Sequence, residues 1–297
     1  MIDFQHPEDF CRAYPKNFWK NKATLLLNTI KKFDKLKMEA FEGLDELNDQ
    51  ECLSGLKLEL HFTYYQIVET LFSMILAFSR KNIDNAQLWK YLVSLSKSQN
   101  VKILYKTIQE IAENKATFFD SPVTAGEKLE VPFIHYVIYF GLKPDANDIS
   151  LKKSIENVKR FLVYCAKDFS DRDEYNAYKH ALRFIPQGDS KLEIISHEEQ
   201  KEIVSFSMKE AVILLKLENG GIAQEIKAFD YERDYNMIMI CSSLIHNILM
   251  SRWSHYKKEK VSLYFFHDID MEATSKIKTE IPKLKFSIIP NKDIGVV

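Results

Sequence analysis

The residues best able to do chemistry lie in one short segment, 171–184. If this segment is helical, Arg172, Asn176 and His180 follow one another at intervals of four residues. Arg183 then lies three residues further along, and all four side chains project from one side of the helix. A histidine can move protons near neutral pH, an amide can orient it, and guanidinium groups bind phosphate. Such a set could bind phosphate through Arg172 and Arg183 and cut RNA without a metal through His180 and Asn176.

The same face has a second interpretation, in which it is ordinary solvated surface. Tyr175, Tyr178 and Leu182 form a neighbouring apolar stripe that would press the helix onto the rest of the protein. A packed helix with a polar outer stripe is common in proteins that have no site there. Asp171 and Glu174 have the spacing of a capping box, which marks where the helix begins.

The order Tyr175-Asn176-Ala177-Tyr178-Lys179-His180, on a late helix of a predicted bundle, resembles HEPN-type domains. These are all-α modules of prokaryotic defence and toxin–antitoxin systems, and many are metal-independent RNases that work at a dimer interface. Their motif is an arginine, four to six intervening residues and a histidine, often with a polar residue directly after the arginine. The resemblance covers about residues 18–185.

The motif departs from the family pattern at its arginine. Asn176 and His180 match the polar residue and the histidine, but Tyr175 stands where the arginine is expected. Arg172 is separated from His180 by one residue too many. The resemblance therefore implies a HEPN-like module that binds RNA or a protein, a second copy of the chain included, without cutting RNA. An active RNase using these residues and an unrelated helical interaction protein are the alternatives.

The fold class follows from hydrophobic periodicity. Helices are predicted at about 18–47, 50–80, 85–98, 101–113, 150–169, 172–184 and 231–258, whereas 131–140 fits helix or strand. The second half of the 50–80 helix is apolar nearly all round, which places it at the centre of a bundle. Only eight of the 297 residues are glycine, about 3% against a usual 7%, which also favours helix.

After residue 188 the pattern changes to short β-branched runs. Strands are predicted at 192–195, 203–206, 211–218, 222–229, 261–266 and 284–289, with a helix at 271–281. Asn219-Gly220-Gly221 is a strong hairpin signal. We predict a mainly α protein, a multi-helix bundle with a small β-hairpin or sheet addition in its C-terminal third. We expect residues 1–188 to form a helical body. Residues 189–297 would form a hairpin, a long helix and a small α/β tail that pack on this body as one unit.

Other composition signals predict neither cofactor nor metal. Neither common nucleotide-binding loop is present, and no pair of histidines or cysteines has metal-ligand spacing. His61 lies two residues after Glu59, so the two do not face each other on a helix, and His267-Asp268 suits a surface turn. The four scattered cysteines (Cys11, Cys52, Cys165 and Cys241) suit the core of a cytoplasmic protein.

The chain carries a formal charge of −1, which gives no overall bias toward nucleic acid. No apolar run approaches the length of a membrane span, so no membrane partner is expected. Four aromatic residues near the N-terminus (Phe10, Tyr14, Phe18 and Trp19) leave two alternatives open. They either anchor the N-terminus in a groove or form an exposed apolar patch.

Overall fold

A computed structural model describes most of the chain. The described residues are 7–40, 49–78, 88–95, 97–114, 117–125, 129–143, 148–179, 184–186, 191–195, 202–218, 221–278 and 284–288. The helices are α1 (Pro7–Ala13), α2 (Phe18–Lys31), α3 (Phe33–Ala40), α4 (Asp49–Ala77), α5 (Leu88–Ser94), α6 (Ser98–Ala112), α7 (Phe133–Ile138), α8 (Ile149–Ser170), α9 (Asp173–Lys179), α10 (Tyr231–Lys257) and α11 (Met271–Ser275). The strands are β1 (Pro122–Ala125), β2 (Leu129–Pro132), β3 (Phe184–Pro186), β4 (Lys191–Ile195), β5 (Glu202–Ser207), β6 (Ala211–Glu218), β7 (Gly221–Ala228) and β8 (Leu284–Ile288). The predicted mainly α fold with small sheet additions is confirmed.

Tertiary contacts divide the chain into two compact units. The first comprises residues 1–22, 64–171 and 236–275, and the second comprises 23–63, 172–235 and 276–297. Three of the five boundaries fall inside helices, namely α2, α4 and α10. The units are therefore interleaved along the sequence, and each draws on three separate segments.

The first unit is built around the apolar part of α4 and the amphipathic helix α8. Residues 64–77 of α4 are buried on nearly every side, as the sequence pattern predicts. Along α8 the expected apolar face is buried from Leu151 to Phe169. The helix begins where the Asp148 side chain accepts a hydrogen bond from the Leu151 backbone N–H at 2.9 Å. These helices form the core of the unit.

A buried arginine ties α10 to the chain around α7 inside this unit. Arg252 is 1% exposed, and its Nη1 donates to the backbone oxygens of Val137 at 2.7 Å and Ile248 at 3.0 Å. Its guanidinium carbon lies 3.8 Å from the centroid of the Phe78 ring. Burial lowers the pKa of Arg252 to about 10, so the group is still protonated at neutral pH.

The strand predicted at 261–266 is wrong, because side chains replace a neighbouring strand there. Asn247 accepts a hydrogen bond from the Tyr264 backbone N–H at 2.9 Å and donates to the Tyr264 carbonyl at 2.8 Å. Ser154 accepts from the Phe266 N–H at 2.8 Å, and Asn157 donates to the Phe266 carbonyl at 2.7 Å. Side chains of α8 and α10 thus bind the backbone of this segment, and we call residues 262–266 the strap.

The second unit contains most of the sheet structure. Its four-stranded antiparallel sheet has the order β3-β6-β7-β8, and β4 pairs separately with β5. Strands β6 and β7 form the predicted hairpin, with Glu218 opposite Gly221. Strand β8 is antiparallel to β7, so the tail forms no parallel βαβ unit.

Three predicted helices have different limits in the structure. The helix predicted over 18–47 is interrupted at Lys32, near Thr29, whose hydroxyl donates to the Leu25 carbonyl at 2.9 Å. Such back-bonding favours a bend in a helix. The helix predicted over 172–184 does not extend to its predicted end, because Phe184 already belongs to a strand. The helix predicted over 271–281 ends at Ser275.

The buried amide of Asn247 is expected to contribute strongly to stability. Replacing it with alanine removes two hydrogen bonds to a segment that has no strand partner in the described structure, at a cost of about 2–4 kcal/mol. Thermal denaturation followed by circular dichroism should show a clearly lower midpoint for Asn247→Ala. The exposed Asn28→Ala on α2 serves as the matched control and should melt like the wild type. Equal midpoints for the two variants would show that the strap is held by other contacts.

Candidate functional site

Of the predicted site residues, the structure describes Arg172 and Asn176. Arg172 directly precedes the helix, and its carbonyl accepts a hydrogen bond from the Asn176 backbone N–H at 2.9 Å. The two residues are therefore one helical turn apart, and both are partly exposed. His180 and Arg183 lie outside the described residues. The predicted convergence of all four side chains thus stays a prediction.

The inner side of α9 carries a buried ion pair. Glu174 is 4% exposed, and its Oε2 accepts a hydrogen bond from Lys227 Nζ on β7 at 2.8 Å. Neighbouring Tyr175 is also buried, and Lys179 Nζ lies 4.5 Å from the centroid of its ring. An unpaired charge at this depth would cost several kcal/mol, so Glu174 and Lys227 depend on each other. The pair fixes α9 to the sheet of the second unit.

A histidine–aspartate pair lies beside this ion pair. His61 Nδ1 is 2.6 Å from Asp234 Oδ2, and His61 Nε2 is 3.9 Å from Glu174 Oε1. The imidazole stacks on Phe229 at 5.0 Å between ring centroids. An ionised carboxylate only accepts hydrogen bonds, so the short contact places a proton on Nδ1. The geometry is that of a base and the carboxylate that orients it.

The start of α10 supports the carboxylate of this pair. Arg233 Nη1 donates to Asp234 Oδ1 at 2.9 Å. Asp230 caps the helix, since its Oδ1 accepts a hydrogen bond from the Arg233 backbone N–H at 2.9 Å. Asp234 is 1% exposed. The carboxylate is thus fixed by a neighbouring cation and by a well-capped helix end.

A second lysine links α9 to both strands of the hairpin. Lys216 Nζ on β6 donates to Asp173 Oδ2 at 2.5 Å and also to Glu225 on β7. Burial alone would lower the pKa of Lys216, but these hydrogen bonds outweigh it and raise the pKa. The hydrogen bond from Lys216 holds the pKa of Asp173 below its usual range. Both ends of this contact are therefore charged at neutral pH.

Tyr178 extends the contact between α9 and α4. Its ring stacks on Phe62 with 4.2 Å between centroids, and its hydroxyl donates to Glu59 Oε2 at 3.1 Å. Burial and the nearby Glu59 carboxylate raise the pKa of Tyr178. Tyr175 and Tyr178 thus pack as the predicted apolar stripe, whereas Leu182 lies outside the described residues.

The group formed by His61, Asp234 and Glu174 is too deeply buried to meet a substrate in this conformation. His61 is only 7% exposed, and the groups it contacts are more buried still. A general base must come within hydrogen-bond reach of the proton it removes. The His61–Asp234 pair therefore supports the fold. Polar side chains that are partly or fully exposed in this region include Arg172, Asn176 and Lys179, with the Nε atom of Arg172 itself buried.

Sequence reasoning missed His61, Glu174, Lys227 and Asp234 as a group. Glu59 does not face His61 on a helix, so the local sequence indicates no partner for His61. In the structure, Glu59 instead accepts a hydrogen bond from the Tyr178 hydroxyl. The available signal was a set of charged or ionisable residues inside otherwise apolar elements. Glu225 and Lys227, for example, follow Ala223 at intervals of two residues along β7, with the apolar Ile226 between them.

Histidines and cysteines elsewhere in the described chain are the other residues that could ligate a metal. Among the described residues, no group of three histidine, cysteine, aspartate or glutamate side chains is placed to hold a metal. His267 Nε2 lies 2.9 Å from the exposed Asp268 carboxylate, within a turn. All four cysteines are free thiols. No helix in the described part of the chain is long and apolar enough to cross a bilayer.

No protein-family model, curated protein sequence or solved structure matches this chain.

The Glu174–Lys227 pair is expected to show strong energetic coupling. Lys227→Met and Glu174→Leu each leave one charge buried without its partner, at a cost of about 3–5 kcal/mol. The double variant removes both charges and should lose less stability than the two single variants added together. Urea denaturation of the four proteins measures the coupling. The exposed pair Lys106–Glu110 on α6 is the control and should couple by less than about 0.5 kcal/mol. Strict additivity for Glu174 and Lys227 would contradict the assignment.

Proposed function

We propose that this chain is a HEPN-like binding module of a prokaryotic defence or stress system. It would contact RNA through the outer side of α9 without cutting it. The HEPN resemblance supplies the expectation. The observation that supports binding over cleavage is Tyr175, which stands where the motif has its arginine and is buried, whereas Arg172 and Asn176 are partly exposed.

The outer side of α9 has the chemistry of a phosphate-binding surface. Arg172 offers a guanidinium, which binds phosphate with two parallel hydrogen bonds. Asn176 offers an amide one turn further on, and Lys179 adds an exposed ammonium. These groups bind and orient an RNA backbone. Cleavage would in addition need an accessible proton-transfer group, a role that only His180 is proposed to fill.

An RNA assay in EDTA separates binding from cleavage. We expect the wild type to bind a labelled single-stranded RNA and leave it intact. Arg172→Ala should weaken binding about fivefold to tenfold, since one charged phosphate contact is lost, and Asn176→Ala should weaken it less. Fluorescence anisotropy measures affinity, and a denaturing gel of the same samples measures cleavage. Lys106→Ala and Gln109→Ala, both on the exposed side of α6, are the charge and amide controls.

Two results would contradict the proposal. EDTA-resistant cleavage that is lost in both His180→Ala and Asn176→Ala would establish the active RNase instead. Absence of RNA binding by the wild type would leave a helical protein-interaction protein.

A further inference from the structure

An aromatic cluster joins α1 to the start of α2 in the first unit. The rings of Phe10 and Tyr14 lie 5.5 Å apart, and the Tyr14 and Trp19 side chains are hydrogen-bonded to each other. Trp19 meets the edge of Phe18, with 4.9 Å between centroids. Phe10, Tyr14 and Trp19 are partly buried, whereas Phe18 is 51% exposed. The cluster thus both anchors the N-terminal segment and presents one ring, that of Phe18, to solvent.

Lysines alternate with these rings. Lys20 is exposed, while Lys22 Nζ lies 6.0 Å from the Trp19 ring centroid and donates to Gln66 at 3.3 Å. Burial lowers the pKa of His246, and the positive charges of Lys16 and Lys20 lower it further. Two lysines are therefore close enough to create a positive potential at this end of the first unit. We call Phe18, Trp19 and these lysines (Lys16, Lys20 and Lys22) the aromatic–lysine platform.

The lysines of the platform belong to a longer segment of the sequence in which positive charges are concentrated. Residues 16–37 contain seven lysines and one aspartate, a net charge of +6 in a chain whose formal charge is −1. A cluster of one sign on a nearly neutral protein raises the local concentration of oppositely charged partners. The partner that this segment attracts is therefore an anion with many charges.

The exposed side of α2 favours a nucleic acid over a lipid surface as this anionic partner. A helix that lies on a membrane inserts a continuous apolar face. On α2 that apolar face, with Ala23, Leu27 and Ile30, is already buried in the protein. The exposed side alternates apolar and amide groups: Phe18, Asn21, Leu25 and Asn28. Isolated aromatic rings among lysines and amides suit base stacking and phosphate contact better than insertion into lipid.

We propose that the aromatic–lysine platform binds single-stranded RNA, with a base stacked on Phe18 and phosphates on Lys20 and its neighbours. The inference rests on the proposed function only in taking RNA as the ligand, and it assigns a large share of the affinity to a surface distinct from α9. The platform binds RNA without sequence specificity, because every base has an aromatic face that can stack on the Phe18 ring.

Variants at Phe18 test stacking directly. Binding of a labelled oligouridine of about 15 nucleotides is measured by fluorescence anisotropy. Phe18→Leu keeps an apolar side chain but removes the aromatic face, and it should weaken binding by roughly fivefold or more. Phe18→Tyr should bind like the wild type. Lys20→Gln should weaken binding and reduce the slope of log affinity against log salt by about one. Unchanged thermal midpoints confirm that the variants are folded.

The outcomes of these and two further measurements separate RNA binding at the platform from lipid binding and from RNA binding at α9. If Phe18→Leu binds RNA as tightly as the wild type, the stacking platform is wrong. Sedimentation with phosphatidylserine-containing vesicles that is lost in Leu25→Ser would instead identify a lipid-binding surface and overturn the proposal. Loss of RNA binding in Phe18→Leu but not in Arg172→Ala would support the platform and contradict the α9 site. The opposite pattern would contradict the platform alone, and no RNA binding by the wild type would overturn both.

Discussion

A charge that leaves water must be paired, and this requirement shapes the second unit. Glu174 on α9 is buried against Lys227 on β7, and Asp234 on α10 is buried against His61 on α4. These contacts bring together α4, α9, β7 and the start of α10. Because removal of one partner leaves the other buried and charged, the pairs specify how α9 packs more strictly than apolar contacts alone. The orientation of α9, and hence of its outer polar side, depends on them.

The first unit uses buried polar groups in a similar way. Its strap is held by asparagine and serine side chains instead of a strand, and Arg252 is satisfied largely by backbone oxygens. In both units these buried polar side chains therefore have structural partners. Candidate functional groups are better sought on the surface, where the platform at the start of α2 and the outer side of α9 present cations beside aromatic or amide groups.

Local patterns in the sequence predict much of this fold. The period of apolar residues gives α4, α8 and α10 close to their observed limits, and the glycine-containing turn gives the β6–β7 hairpin. Pairings between distant elements leave no local pattern. His61 and Asp234 are separated by 173 positions, so nothing near either residue indicates the contact. The side chains of α8 and α10 that hold residues 262–266 are likewise distant in sequence from the segment they contact. Of the site, Arg172 and Asn176 are placed one turn apart as expected.

Hydrogen exchange measured by mass spectrometry tests most directly whether the buried ion pair positions α9. The wild type is compared with Lys227→Met at neutral pH, peptide by peptide. The structure predicts faster amide exchange in α9 and in the first turns of α10 of the variant, with unchanged exchange in α6, which belongs to the first unit. Wild-type protection of α9 in Lys227→Met would contradict the account.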